Sequence, residues 1–281
     1  MKTAKSIFFT LIISLLSFQI NAQYELWSVG TAFTAPEGQL DVSVFRPARY
    51  GITKTLEVSA QPWVFVIFPN AQVKKTWYKK EIAIATLHGI NYPSWSMNML
   101  RKKNKEGYIP VDSVVPQMLV FKNEVIISYM LKKKTTCEAA NYLLSLKLGT
   151  QFAWHLKEGN IPPMEKPVIY PLTSVYQKDF LWYAGLDIDG HLNSWINFSA
   201  DIDFLSVNFI DDIAIEHKGM LMTALTNSLM LLVGYKVFYG TYPSGDSQLA
   251  VYPLVDISWK YTFKQRKAKQ LDLFESKDKM F

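Results

Sequence analysis

The segment LAVYPLVDISWKYTF near the end of the chain admits one regular conformation. One parity reads Leu249, Val251, Pro253, Val255, Ile257, Trp259, Tyr261 and Phe263; the other reads Ala250, Tyr252, Leu254, Asp256, Ser258, Lys260 and Thr262. Apolar residues on alternate positions over about 15 residues describe an extended strand, because a helix returns to the same face every 3.6 residues. Such a run is more than twice the usual strand length of soluble sheets. Its apolar row ends in three successive aromatics.

The same period recurs upstream. Leu40, Val42 and Val44 alternate with Asp41 and Ser43, and Leu56, Val58 and Ala60 with Glu57 and Ser59. Val125 to Leu131, Tyr142 to Leu148, Phe180 to Ile188, Ile196 to Phe204 and Leu229 to Tyr239 repeat it, and segments 80–88 and 211–225 repeat it more weakly. This gives about ten strands, with a range of about 8–12. The expected fold is all-β: an antiparallel up-and-down transmembrane β-barrel, in which an even strand number brings both chain ends to one side. Short turns near 189–192 and 226–228 fall on that side, and the longer connections 89–123, 157–178 and 240–248 on the other. The first two connections, 46–53 and 62–79, break this order.

Residues 1–22 read as a cleaved signal peptide: Lys2 and Lys5 precede an apolar stretch from Ile7 to Ile20, and Asn21-Ala22 offers a small residue at the cut. Residues 23–263 then form the barrel and residues 264–281 a charged C-terminal tail. Removal of the leader takes two lysines and no acid, lowering the net charge from +6 to +4, a balance that names no nucleic-acid partner. With 49% hydrophobic and 19% charged residues the chain is not disordered. The single cysteine, Cys137, excludes an internal disulfide framework and a cysteine metal cluster, and no cofactor is expected.

Alternation serves a secreted β-sandwich as well as a membrane barrel, with opposite faces buried. The leader, the strand lengths and the aromatics at strand ends favour the barrel. Trp154, Trp182, Trp259, Tyr261 and Phe263 are then candidates for an aromatic girdle. The opposite parity supplies the lumen, with Asp41, Glu57, Lys147, Asp201, Asp203, Lys236, Asp256 and Lys260 as its polar candidates. A narrow barrel is filled by side chains, and buried charges there need partners.

In these features the chain resembles small outer-membrane β-barrel proteins of Gram-negative bacteria. The leader end Asn21-Ala22-Gln23 and the closing strand Trp259-Lys260-Tyr261-Thr262-Phe263 resemble those of the Bacteroidota group. The resemblance is architectural and matches no functionally defined family. It implies a location in the outer membrane, contact with outer-membrane lipid, and passage through barrel-insertion machinery; it leaves the oligomeric state open. A structural, adhesive or small-solute-passage role is expected.

The alternative is an outer-membrane lipid hydrolase or deacylase with a Ser–His site at the rim, for which His155 and His217 lie near strand ends. No GxSxG or HExxH pattern supports it. Asp187-Ile188-Asp189-Gly190 reads as a hairpin turn rather than a calcium loop. The basic runs 101–105 and 132–134 read as solvated loops, and segment 91–116 as a short helix or a plug over one mouth. A barrel predicts heat-modifiable migration on gels and solubility only in detergent, whereas a sandwich is recovered in the soluble fraction.

Overall fold

The structure, a computed structural model, describes residues 28–101, 109–133, 140–165, 170, 172–192, 196–207, 212–226, 228–243, 245 and 247–263. The leader 1–22, the tail 264–281 and residues 102–105 and 134 of the basic runs lie outside the described residues, while Lys132 and Lys133, read as loop, belong to the strand Gln117–Lys133. Twelve strands follow one another: β1 Gln39–Ser43, β2 Ala48–Thr53, β3 Leu56–Ala60, β4 Asn70–Lys79, β5 Ile82–Asn91, β6 Gln117–Lys133, β7 Ala140–Lys157, β8 Phe180–His191, β9 Ile196–Val207, β10 Asp212–Ala224, β11 Leu229–Thr241 and β12 Ser247–Thr262. Each pairs antiparallel with the next, and β12 returns to β1, closing a single barrel. A two-sheet sandwich is thereby replaced.

The strands beyond the ten expected are β2 and β4, the two places where the connection order failed. Both escape alternation because both carry register shifts, at Gly51/Thr53 and at Thr76/Tyr78. The second shift leaves Trp77, Tyr78 and Lys79 all exposed, so the period of two is lost. With both strands in place, turns 53–56 and 79–82 join the side that holds the chain ends, here called the terminal side. The Asp189-Gly190 turn is corrected as well: β8 continues through both residues to His191.

The outer rows are those the alternation names. Val125, Ile127, Leu146, Leu148, Ile202, Ile215, Leu221, Val233, Val255 and Ile257 are all exposed large apolar residues. Trp259, Tyr261 and Phe263 form a chain of ring contacts on the terminal side, continued by Tyr50 against Phe263 and by Tyr142 against Phe198. On the opposite, loop side Trp154 packs on Phe121 and Trp182 on Phe204. Along β7, Tyr142 and Trp154 stand about 30 Å apart in height, taking ~3.3 Å per residue and a ~40° tilt.

The wall is uneven. β6 and β7 have 17 and 18 residues, whereas β1 and β3 have five. The interior is occupied at both ends. On the loop side, α1 (Ser94–Leu100) and α2 (Val175–Lys178) lie in the long connections. Met97, Ile109, Ile161, Tyr170, Val175 and Tyr176 from those connections join inward-facing Met118, Val120, Leu181, Leu205 and Phe238 in one apolar cluster. Burial there raises the Tyr176 phenol well above its usual range, so it packs as a neutral ring.

On the terminal side, residues 28–38 cross the barrel as a strap. Phe33 and Ala32 pack on Ala83, Ala85, Ile126 and Leu143. The strap's backbone is held by the wall: Lys74 donates to the carbonyls of Val29 (2.7 Å) and Thr31 (3.0 Å), and Thr76 to that of Ala32 (2.7 Å). Ala32 N–H donates to Ser128 (2.8 Å), and Ala35 N–H to Glu57 (2.6 Å). Buried backbone groups need such partners.

Gly149 allows one further crossing. A Cβ there would lie 2.2 Å from the Tyr183 ring, whose hydroxyl passes over β7 to donate to Glu124. Gly149→Val is expected to cost about 1–3 kcal/mol by overpacking. Urea midpoints check this, and adding Tyr183→Ala should return part of the loss.

Candidate functional site

Between strap and loop-side cluster lies a belt of charge. Lys147 extends from β7 to Asp187 (2.7 Å) and Asp203 (2.9 Å). Asp201 pairs with Lys218, and Glu216 with Lys236 at 2.9 Å. Arg49 and Glu57 form a two-pronged pair at 3.0 and 2.7 Å, with both side chains almost wholly buried. Asp41 accepts from Ser258, and Lys260 lies half-buried on the same inward parity.

Asp256 has the largest task. Its carboxylate accepts from Ser43 Oγ, from the N–H groups of Val44 (3.1 Å), Phe45 (3.2 Å) and Ile257 (2.8 Å), and from Arg46 Nε (3.2 Å). It fixes the point at which β1 leaves β12.

The eight polar residues named from the sequence thus all face inward. Asp203 meets Lys147, one of those eight, whereas Asp201 takes Lys218, which is not among them. Arg49, Lys74 and Glu216 were missed too, and Glu124, on the polar row opposite Val125, is a further inward charge outside the eight. Arg49 and Lys74 belong to the two strands hidden by their bulges. Of the girdle candidates, Trp259, Tyr261 and Phe263 gather at one rim, and Trp154 and Trp182 at the other.

Polar parity does not hold throughout. Met220, Met222, Met230 and Leu232 face inward and pack together with Leu254. The sequence carries a signal for this: on either side of the 225–228 turn, in Met220-Leu221-Met222 and from Leu229 to Val233, both parities are apolar, so lumen and exterior are apolar at once. Beside this patch lies a cavity of about 450 Å³. The strap forms one side of it through Ser28 to Gly30, and Lys147, Asp187 and Lys218 line the charged part. Gly30 admits no side chain here, since a Cβ would lie 1.7 Å from Asp187. The volume is in the range of small-molecule sites.

Catalytic geometry does not form around the two histidines singled out. His155 contacts Asp179 at 2.8 Å, and His217 bonds to the Asp201 carbonyl and to Tyr235 on the outer face. Among the described residues no cluster of His, Cys, Asp and Glu has the arrangement of a metal site.

Arg49→Met would leave the Glu57 carboxylate buried without its cation, an expected loss of about 3–5 kcal/mol. The urea midpoint of the folded band measures it, and Arg49→Met with Glu57→Leu should be milder than the single change.

No family model matches the chain, and no curated protein matches it. Among solved structures, a chain described as outer-membrane expressed OmpT of Vibrio cholerae aligns with a TM-score of 0.37 at 9% identity, covering 85% of this chain and 72% of that one.

Proposed function

We propose that this protein spans the outer membrane as a barrel closed by its own chain, and that it holds a small molecule in the lumen rather than conducting solutes. The apolar outer surface about 30 Å tall, edged by aromatics on both rims, supports the membrane reading, since it matches the hydrocarbon thickness. An exposed apolar surface of that extent is unfavourable in water.

The observation that carries the reading is the strap. Lys74, almost wholly buried, takes two strap carbonyls as its acceptors, so opening the terminal mouth strands an ammonium ion in the lumen. The loop-side cluster closes the other mouth by apolar contact. Between these closures remains a cavity, not a passage.

In planar lipid bilayers the wild-type chain is therefore expected to be silent. Removal of residues 28–34 together with 94–100 should produce conductance in chains that still show heat-modifiable migration. Steady conductance by the wild type overturns the reading, because neither closure would then hold.

A further inference from the structure

The seam that closes the barrel is short, and its shortness leaves a gap. β1 pairs with β12 only from Gln39↔Thr262 to Ser43↔Ser258, and one further bond runs beyond each end, from Val44 N–H to the Ile257 carbonyl (3.3 Å) and from Phe263 N–H to the Gly38 carbonyl (2.9 Å). Five residues rise about 13 Å, less than half of the ~30 Å apolar band. Beyond Ile257, no strand among the described residues pairs with β12 on that side. Because Ile257 points its backbone toward β1, Val255, Pro253, Val251 and Leu249 point theirs into the same gap, by the alternation of antiparallel ladders.

An open edge at that height faces lipid, where unpaired backbone groups are costly. Pro253 removes one of the donors at this edge and blunts it against the addition of another strand. The gap is bordered by an apolar segment. Trp63, Phe65 and Val66 are exposed, and Trp63 is tied by its ring N–H to the Ser43 carbonyl (3.0 Å) at the top of β1.

The cavity reaches this gap. Its lining includes Phe45 and Arg46 from the β1–β2 connection and Val255, an outward residue of β12, together with inward Met222, Leu232 and Leu254. An interior site lined by outward residues of an unpaired edge is open sideways. Arg46 stands at the opening with Nε on Asp256, while its buried Nη2 has no hydrogen-bond partner.

We propose that the gap between β12 and the β1–β2 connection is a lateral portal through which a long-chain fatty acid passes from the bilayer into the cavity. Its chain lies along Met222, Leu232 and Leu254, and its carboxylate accepts from Arg46 Nη2. The apolar patch explains the chain, the vacant donor explains the acceptor headgroup, and the edge open within the apolar band explains the route. A paired strand from a second copy would meet Pro253 and leave the cavity empty. This inference rests on the membrane reading above.

The test uses the full processed chain in phosphatidylcholine vesicles preloaded with a fluorescent polyene fatty acid. Uptake should saturate at about one probe per chain, in the manner of a formed pocket. Met222→Trp, which puts an indole where the acyl chain lies, should abolish it, and Leu221→Trp on the outer face should not. Arg46→Gln should weaken the acid about tenfold, the scale of a lost charge-assisted bond, and leave the methyl ester of the same probe unaffected. Val255→Trp should slow uptake without changing its endpoint.

Binding that survives Met222→Trp, or falls equally in Leu221→Trp, overturns the site. An unchanged rate in Val255→Trp overturns the lateral route. A dimer cross-linked through β12 that excludes the probe overturns the occupant. A chain that floats with the vesicles but takes up no probe overturns this inference alone. One that does not float overturns the membrane reading and this inference with it.

Discussion

Closure of the barrel depends on five residue pairs between β1 and β12. Every other neighbouring pair is joined by a connection of the chain, whereas this one brings residue 39 to residue 262 and is held by the ladder itself. Asp256 sets where the ladder ends, by gathering the Val44 and Phe45 N–H groups, Ser43 and Arg46 on one carboxylate. Below that point the wall is continuous. Above it, no strand among the described residues pairs with β12 on that side, and the cavity lies behind it.

The interior follows from the same economy of partners. A barrel of this size encloses more space than wall side chains fill, and a buried charge without a counterpart is costly. Two solutions coexist in the lumen. The ion pairs Arg49–Glu57, Lys147 with Asp187 and Asp203, and Glu216–Lys236 satisfy charge with charge. Lys74 instead uses backbone carbonyls of the strap, which ties the chain's own N-terminal segment into the barrel. The loop-side end takes a third course, since Met118, Leu181, Leu205 and Phe238 turn apolar side chains inward against the long connections.

These layers give the molecule an order from one rim to the other: strap, charged belt with its cavity, apolar plug. Among the described residues the strap and the apolar plug stand across the two ends of the lumen. A binding barrel needs a closed interior with an opening to its ligand's phase. In the proposed reading the short strands β1 to β3 leave that opening, and methionine-rich strand faces on β10 and β11 provide an apolar wall. Methionine adapts its shape to flexible chains.

The sequence alone determined the period of two, and with it the rows that face outward. It did so because each wall residue is either inside or outside, so composition and position are locked together over many residues. It also named eight polar residues of the inward rows, Asp41 and Lys260 among them, and five aromatics near strand ends, but not Arg49, Lys74 or Glu216. β2 and β4 escaped, because one-residue bulges reverse the parity within a short strand and erase the pattern. The strap was equally hidden, as residues 28–38 bond through their backbone, which is the same for every residue type. Partner choice among charges, such as Lys218 for Asp201, and the uneven heights of neighbouring strands were fixed only by the closed barrel. Both depend on register between segments distant in the chain, and that register exists only once the wall has closed.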